Sequence, residues 1–403
     1  MALMVGIDWS ERWHDVCLMS EDGQVLAERR VGDSPAGLTQ LQSLIAEHAA
    51  DPAEVVIGIE KPDGLMVHAL QAVGYTIYPI NPLSASRYRD RDAVSRKKSD
   101  RADARMLADL VRTDRHRHRP LGTDSEQAEA VKVLARSHKN LIWTRQQLGN
   151  QLRNTLREYY PAVLEAFEEH LLEVDALALL EQAPTPARGR ALSLAKISSA
   201  LRRARRHHVE QRAAEIRDAL RGPQLERPAA VVEAYAVMAA DLARLLQDIS
   251  ARIDHQEQEL DRTLKAHPDA EIYLSLPGLG PVLGARVLGE FGDDPNRYRD
   301  GKARKNYAGT SPLTQASGRK KVVLARFIRN RRLADACQGW AFSALSRSPG
   351  ARRYYDAQRA SHKEHEEALR ILANRLIGIL HGCLRYHQAY REDTAWPLAE
   401  VAA

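Results

Sequence analysis

The sequence predicts a mixed α/β segment at the N-terminus, a long helical segment in the middle and a mainly helical C-terminal segment. Two observations lead to this fold class. Short apolar runs alternate with helical patterns over residues 1–83, whereas leucines recur at near-heptad steps further along. The 403 residues are enough for several domains. We therefore expect an α/β domain over 1–120, a coiled-coil region over 121–269, a C-terminal domain over 270–390 and a loose tail over 391–403.

The N-terminal segment is predicted to form one sheet. Its predicted strands are Leu3–Trp9, Asp15–Ser20, Val25–Val31, Glu54–Glu60 and Tyr75–Ile80. A tight turn joins the second strand to the third, which predicts antiparallel pairing there. Predicted helices at 34–45 and 65–72 separate the later strands, which should therefore pair in parallel. Ser34, followed by Pro35, is the expected N-cap of the first helix.

The middle segment has a helical pattern almost throughout. Its apolar stripes are Leu134, Leu141, Leu148, Leu152 and Leu156, then Leu242, Leu245, Ile249, Ile253, Leu260 and Leu264. Such stripes are typical of a coiled coil between subunits, and equally of a helical hairpin within one chain. From residue 270 a glycine-containing turn, an apolar helix, a basic loop-rich stretch and further helices follow.

Basic residues are concentrated in three patches. Lys and Arg total 59 against 53 Asp and Glu, so the net charge is only +6. Residues 87–119 nevertheless hold 12 Lys or Arg and 6 Asp, and residues 319–332 hold 7 Lys or Arg with no acid. A third patch covers residues 202–208. Together the patches indicate a polyanionic partner, most simply nucleic acid, although each alone could be a solvated helix face.

Several protein classes do not fit the composition. The apolar runs are far shorter than the roughly 20 residues of a membrane span, and the acidic start does not resemble a signal peptide. The three cysteines, Cys17, Cys337 and Cys383, are far apart and lack metal-ligand spacing. We therefore expect a cytoplasmic protein with neither disulfide framework nor zinc site.

Four carboxylates lie at the ends of predicted strands or at the start of a predicted helix. Asp8 and Glu60 lie at the ends of two strands, and Asp100 and Asp103 share a face at the start of a helix. Acids gathered at one sheet edge would repel one another unless hard divalent cations lay between them, Mg²⁺ first. Two such ions could assist phosphodiester chemistry. Taken singly, each acid could instead be structural, with Asp100 as an N-cap and Asp103 paired to an arginine.

Two C-terminal motifs are candidates for phosphate contacts. Leu276–Gly280, before an apolar helix, resembles the turn of helix-hairpin-helix modules, in which Gly278 and Gly280 would let a phosphate approach the backbone. Further along, Ser311 and Ser317 lie in a small-residue loop. A serine beside cations could attack a phosphodiester, or could simply bind phosphate in a turn. The neighbouring candidate nucleic-acid contacts are Arg319, Lys320 and Lys321, with Arg96, Lys97 and Lys98 in the N-terminal patch.

Five motifs occur in one order along the chain. They are Val5–Ser10, Ile57–Glu60, Lys98–Ala104, Leu276–Gly280 and Tyr307–Pro312 continuing to Ser317–Gly318. In this order they resemble the IS110 family of insertion-sequence transposases, the DEDD transposases. The resemblance covers residues 3–113 and 270–385.

The resemblance implies a RuvC-like N-terminal domain of the ribonuclease-H fold, with an Asp-Glu-Asp-Asp tetrad that binds Mg²⁺, or Mn²⁺ in its place. By motif match the tetrad is Asp8, Glu60, Asp100 and Asp103, and the family's nucleophilic serine matches Ser317 rather than Ser311. It further implies a coiled coil, dimers or tetramers with a shared active site, and action on DNA at element ends and targets. Several members use a structured guide RNA.

The chain departs from the family pattern after Ser317. In the family's Gly-x-Ile-x-x-x-Gly-Asn-x-x-Leu-Arg stretch, both glycines and the final arginine are missing here, whereas Ile328 and Leu333 are retained among many cations. Two alternatives to a serine transposase therefore stay open. One is a Mg²⁺-dependent junction nuclease with water as the nucleophile. The other is a non-enzymatic nucleic-acid scaffold, which would bind in a salt-sensitive way without nicking.

Overall fold

The computed structural model describes residues 2–92, 99–317, 320–326 and 329–397, with the backbone alone for 90–92, 315–317, 320–321 and 323. The chain divides into two compact units, Met1–Thr123 and Asp124–Ala403. No helix within the described ranges combines the length and apolarity that a bilayer crossing requires.

The N-terminal unit is built on a mixed five-stranded sheet. Its strands are β1 (Leu3–Trp9), β2 (Trp13–Met19), β3 (Val25–Gly32), β4 (Val55–Ile59) and β5 (Thr76–Pro79), in the order β3-β2-β1-β4-β5. Strands β1, β2 and β3 are antiparallel, and β1, β4 and β5 are parallel. The predicted mixed sheet is therefore confirmed. The helices are α1 (Pro35–Ala46), α2 (Leu65–Val73), α3 (Pro82–Asp92) and α4 (Asp100–Asp114).

Helix caps in this unit follow the sequence closely. Ser34 accepts a hydrogen bond from the Gly37 N–H at 3.2 Å and caps α1 as predicted. Helix α4 is capped by Ser99, whose hydroxyl accepts from the Ala102 N–H at 3.2 Å. Asp100 is therefore the first residue of α4, and its N-cap interpretation is wrong. A carboxylate at that position still interacts favourably with the positive end of the helix dipole.

Helix α4 lies against the sheet where two glycines leave room for it. Gly6 of β1 and Gly58 of β4 are neighbours in the parallel register. A Cβ on Gly6 would collide with the carbonyl oxygen of Ala104, and one on Gly58 would lie 2.7 Å from the carbonyl oxygen of Leu107. The helix backbone therefore rests on the two glycines, and this close approach fixes its distance from the sheet.

The C-terminal unit is mostly helical. Its first elements are α5 (Glu126–Tyr159), α6 (Pro161–Phe167), α7 (Val174–Gln182), α8 (Pro186–Arg190), α9 (Leu194–Arg203), α10 (Val209–Arg221) and α11 (Ala229–Lys265). They are followed by α12 (Ala270–Ser275), α13 (Pro281–Phe291), α14 (Gly301–Tyr307), β6 (Leu313–Ser317), β7 (Lys320–Leu324), α15 (Arg331–Ala344), α16 (Pro349–Ala360), α17 (His365–Tyr386) and α18 (Glu392–Ala395).

The long helices α5 and α11 pack against each other within the chain. Val131 and Ala135 share a buried cluster with Leu260 and Leu264, whereas the other end of α5 shares a second cluster with the start of α11. The pair is therefore antiparallel, as the intramolecular alternative expects. The first cluster also includes side chains of α13, α15 and α17. Residues on both sides of position 269 thus belong to one compact unit, whereas the sequence predicts two separate domains there.

A two-stranded hairpin replaces the loop predicted after Pro312. Strands β6 and β7 are antiparallel, with Thr314 opposite Val323 and Ser317 opposite Lys320. The β-branched residues Val322 and Val323 favour a strand, but the many lysines and arginines around them mask this signal in the sequence. The hairpin places the Ser317 backbone at the closed end of a ribbon.

We predict that Gly6→Ala destabilises the N-terminal unit by about 2–3 kcal/mol, because the new methyl group must displace the α4 backbone. Thermal or urea unfolding of the full chain measures this loss. Gly32→Ala is the matched control in the same sheet, since its Cβ would meet nothing nearer than the Ser34 hydroxyl at 3.5 Å. Equal stability of the two variants would contradict the proposed docking of α4.

Candidate functional site

The four predicted carboxylates line one cavity of about 290 Å³ in the N-terminal unit. Asp8 is the penultimate residue of β1, and Glu60 directly follows β4. Asp100 and Asp103 lie in the first turn of α4. Asp103 is buried, Asp100 is exposed, and the other two are half-buried. Residues that are distant in the chain are thus brought together, as the sequence analysis expects.

The docking of α4 explains why these side chains meet. Asp8 is two residues after Gly6, and Glu60 is two residues after Gly58, so each acid stands on the face of the sheet that the helix covers. Along α4, Asp100 lies one turn before Ala104 and Asp103 one turn before Leu107, and both of these apolar residues pack on that face. Both glycine-x-acid steps therefore direct their carboxylates toward the N-terminus of α4.

Two arginines hold part of the acidic cluster. A guanidinium nitrogen of Arg89 on α3 lies 2.8 Å from an Asp103 carboxylate oxygen, which agrees with the ion pair that the structural interpretation of Asp103 expects. Arg30 on β3 lies 2.7 Å from Asp15 and 3.4 Å from Asp100. Asp8 and Glu60 make no ion pair in the described part of the chain. The negative charge is therefore only partly compensated.

The electrostatics of Asp8 reflect this imbalance. Burial, followed by repulsion from Asp103, Asp100, Glu60 and Asp15, raises the pKa of Asp8 from 3.8 to about 6. Near neutral pH the ionised carboxylate is thus held in an unfavourable environment. A cation between the acids would relieve this repulsion.

Asp15 is a member of the site that the sequence analysis does not identify. It lies on β2 directly opposite Asp8 and is only 4% exposed. The Arg30 guanidinium donates to both of its carboxylate oxygens, to Oδ1 at 3.2 Å and to Oδ2 at 2.7 Å. The signal that could reveal Asp15 is the short connection between two strands, which pairs residues at equal distances from the turn. Trp9 and Trp13 complete this side of the cavity.

The donor set suits a hard divalent cation. All the titratable oxygens that face the cavity come from Asp or Glu, the ligands that Mg²⁺ prefers. The rise in the pKa of Asp8 fits a position where positive charge is lacking. Among the residues with described positions, no three acidic, histidine or cysteine side chains are arranged closely enough to hold an ion as they stand. Asp103 and Asp100 would therefore have to leave their arginines to bind one.

The glycine turn before α13 has a clear packing role. Gly278 has a φ of +80°, and a Cβ there would lie 2.6 Å from the Ala344 backbone nitrogen of α15. Close packing thus requires this glycine. Gly280 is the N-cap of α13, and a Cβ there would meet nothing within 4 Å. A phosphate contact at the turn stays a prediction, for which Gly280 offers the more open backbone.

The candidate nucleophile lies in the β6–β7 hairpin. Ser317 ends β6, and Ser311 lies half-buried before that strand. The backbones of Lys320 and Lys321 belong to β7. Arg319 and the N-terminal candidates Arg96, Lys97 and Lys98 lie outside the described residues. The nucleophilic and nucleic-acid-binding roles of these residues stay predictions.

A buried hydrogen-bond network anchors the end of this hairpin region. Glu290 of α13 is only 5% exposed and accepts from Arg136 at 2.8 Å and from the Asn330 amide at 2.7 Å. Burial opposes ionisation, but these hydrogen bonds prevail and lower the pKa of Glu290. Asn330 also caps α15, accepting from the Leu333 N–H at 3.1 Å. The sequence analysis misses Glu290, because a lone acid within an apolar helix gives no spacing signal.

Two arginines of the third basic patch form ion pairs within the structure. Arg206 lies 2.7 Å from the buried carboxylate of Asp175, and Arg202 lies 2.8 Å from Glu210. These pairs attach the end of α9 to its neighbours. For these two arginines the interpretation as structural ion pairs is therefore the better supported.

We predict that Asp8→Asn stabilises the metal-free protein near neutral pH. Because the folded-state pKa of Asp8 is raised, its contribution to stability is full below about pH 4 and is lost as the pH rises through about 6. In EDTA the variant should gain on the order of 1 kcal/mol at pH 7.5, after allowance for solvent screening, and nothing at pH 4. Thermal unfolding measures the difference.

The exposed Asp63 provides the matched control, because Asp63→Asn removes a carboxyl outside the cavity. Added Mg²⁺ should raise the midpoint of the parent at pH 7.5 and should raise that of Asp8→Asn much less. Identical midpoints for the parent and Asp8→Asn in EDTA would show that the repulsion at Asp8 is absent.

Comparison with known proteins agrees with the site. A family model for DEDD transposases of IS110, described as a transposase, matches residues 5–161. A second model, described as the transposase IS116/IS110/IS902 family, matches residues 270–356. The first match contains all four carboxylates, and the second contains both the glycine turn and the hairpin.

Full-length relatives extend this similarity. The chain is 44% identical to the mini-circle putative transposase for IS117 of Streptomyces coelicolor, over 100% of this chain and 99% of that protein. It is 29% identical to an insertion element IS116 protein of Streptomyces clavuligerus, over 95% and 94%. An insertion element IS900 protein of Mycobacterium paratuberculosis is 28% identical over 96% and 97%. The chain therefore belongs to the IS110 family and is a DNA transposase of an insertion sequence.

Proposed function

We propose that this transposase cuts and rejoins DNA with two groups of residues: the carboxylates Asp8, Glu60, Asp100 and Asp103, and the hydroxyl of Ser317. The observation that carries the proposal is the convergence of four acids from β1, β4 and α4 on one cavity, where burial and then the neighbouring acids raise the pKa of Asp8. The sheet order, with three antiparallel strands followed by two parallel ones, supports a RuvC-like ribonuclease-H fold for this unit.

The carboxylates are the residues that would hold Mg²⁺ or Mn²⁺. When bound, the metal supplies electrophilic activation of a phosphodiester and neutralises developing negative charge. The chain itself contributes charge and orientation. Asp8 and Glu60 lack ion-pair partners in the described structure and would be available as ligands directly, whereas Asp103 and Asp100 would bind the cation in place of Arg89 and Arg30. The guanidinium of Arg89 would then be free to bind a phosphate oxygen, whereas Arg30 would keep its pair with Asp15.

In the proposed reaction the Ser317 oxygen attacks the phosphorus of a DNA phosphodiester. A phosphoserine bond forms as the bond to one DNA oxygen breaks, and that oxygen leaves as a hydroxyl with the serine proton. A hydroxyl of a second DNA strand then attacks the phosphoserine, which restores the serine and creates the new phosphodiester. The sequence neighbours Arg319, Lys320 and Lys321 support this role, since cations close to a serine favour its alkoxide.

The proposal includes the partners implied by the family resemblance: DNA at element ends and targets, a structured guide RNA, and assembly into dimers or tetramers with a shared site. The basic patch at 319–332 supports a polyanionic partner. The α5–α11 pair satisfies part of the heptad pattern within one chain, but exposed apolar residues remain on α11, including Val237 and Leu245. They leave apolar surface for contact between subunits.

One alternative is favoured by a specific observation. The acid cavity is formed entirely by the N-terminal unit, so it could support metal-dependent hydrolysis with water as the nucleophile. The protein would then be a junction nuclease that forms no covalent intermediate with DNA. Whether a covalent protein–DNA intermediate forms therefore distinguishes the serine transposase from the nuclease.

We predict that the protein, incubated with Mg²⁺ and DNA carrying its element end, forms a covalent adduct that survives denaturing electrophoresis. Ser317→Ala should abolish the adduct, and Asp8→Asn should lower the rate of its formation by at least about a hundredfold. Ser311→Ala is the matched control, because it removes a hydroxyl from the same loop and should leave the adduct in place. Mass spectrometry identifies the modified residue.

An adduct retained in Ser317→Ala would overturn the assignment of the nucleophile. DNA cleavage without any adduct in the parent would favour the nuclease instead.

A further inference from the structure

A second cavity, of about 430 Å³, lies in the C-terminal unit between α14, α17 and α18. Lys305 of α14 and Arg375 of α17 contribute two cations to its lining. Gln388 and Thr394 contribute polar groups, and the 68% exposed Tyr386 contributes an aromatic ring. No Asp or Glu is among the lining residues. The cavity is therefore a positively charged recess without an internal counter-charge.

The two cations have no carboxylate partner in the described part of the chain. The Arg375 guanidinium donates to the Ala395 carbonyl oxygen at 3.1 Å and lies 5.6 Å from the Trp396 ring, so it is held in place by neutral groups. The Lys305 ammonium lies across Gly378, where a Cβ would be 2.9 Å from it. Burial and the nearby Arg375 charge lower the pKa of Lys305. The glycine thus makes room for an ammonium group beside another cation.

The surroundings add to this positive potential. His381 lies one turn after Gly378 on α17, and burial lowers its pKa. The charges of Arg304, Arg385 and Lys305 lower this pKa further, and Asp300 opposes them only in part. By contrast, Arg391 also lines the cavity but lies 2.8 Å from Asp393. Lys305 and Arg375 are therefore the lining cations whose charge remains available to a ligand.

We propose that this recess, which we call the α14–α17 pocket, binds a phosphate group of a polynucleotide backbone, with Lys305 and Arg375 as its charged ligands. Two unpaired cations in a cavity without acids fit an oxyanion, and a guanidinium and an ammonium are the groups that recognise phosphate. The cavity is large enough for one nucleotide, and the exposed Tyr386 at its edge offers a surface on which a base or sugar can pack. The inference rests on the family assignment and requires neither the acid cavity nor Ser317.

The first test measures binding of a fluorescent duplex DNA and a single-stranded RNA of equal length by anisotropy at several salt concentrations. The double variant Lys305→Gln/Arg375→Gln should bind about tenfold more weakly at physiological salt, and its log–log salt slope should fall by about 1 for each cation. The control Arg244→Gln/Arg352→Gln removes the same charge from arginines paired with Glu181 and Asp356. It should bind like the parent.

A second test fills the pocket without removing a cation. Gly382 of α17 lines the pocket, and a Cβ there would meet nothing within 4 Å, so the position has open space where a side chain begins. Gly382→Glu should weaken polynucleotide binding more than Gly382→Gln, because the two side chains match in size and differ in charge. Circular dichroism confirms that both variants fold.

The third test measures the accessibility of a single side chain in the pocket. Cys383 lines the pocket and is half-buried, whereas Cys17 and Cys337 are fully buried. Saturating polynucleotide should slow the reaction of Cys383 with a maleimide in the parent but not in the Lys305/Arg375 double variant. The duplex and RNA arms show which polynucleotide occupies the pocket.

The proposal is overturned if the double variant binds both polynucleotides with the affinity and salt slope of the arginine control. Protection of Cys383 by inorganic pyrophosphate but by neither polynucleotide would also overturn it, because the pocket would then take a small phosphate. Loss of the covalent serine adduct has no bearing on these outcomes, so failure of the proposed chemistry and failure of this site are distinguishable.

Discussion

The close contact between helix α4 and the glycines Gly6 and Gly58 determines the arrangement of the N-terminal unit. Since neither position tolerates a Cβ, the helix lies at one distance and in one register on the sheet. The acids two residues after each glycine then share a face with the first turn of the helix. The close packing of α4 on two glycines thus determines where the carboxylate side chains meet.

Gathering these acids opposes folding, and the chain offsets part of the repulsion with its own cations. Arg89 pairs with Asp103, and Arg30 bridges Asp15 and Asp100. The arginines do not compensate all of the negative charge, and the raised pKa of Asp8, which burial also favours, reflects this excess. An arrangement of this kind can stay folded without metal and still gain from binding one. The α14–α17 pocket has the reverse arrangement, because it is lined by cations without any Asp or Glu, and it would gain from binding an anion.

Much of the acid site could be predicted from the sequence, because the strand ends and the first turn of α4 follow from local patterns. Asp15 is not among the predicted acids, since only the pairing of β1 with β2 across their short connection places it opposite Asp8. Glu290 gave no signal because its partners Arg136 and Asn330 are far away in the chain. The β6–β7 hairpin is not predicted, because its many lysines and arginines mask the strand pattern in the sequence. Gly278 fits both a phosphate-binding turn and close helix packing, so its residue type does not decide between them. Long-range pairing decides each of these cases.

The central claim is that the four carboxylates form a single cation site. Anomalous diffraction from crystals of the full chain soaked in Mn²⁺ tests it most directly, because the scattering locates the ion without reference to activity. We expect a peak within about 2.5 Å of carboxylate oxygens of Asp8 and Asp103, with the Arg89 guanidinium displaced from Asp103. Well-ordered crystals that show no peak in this cavity, with Arg89 still bound to Asp103, would contradict it.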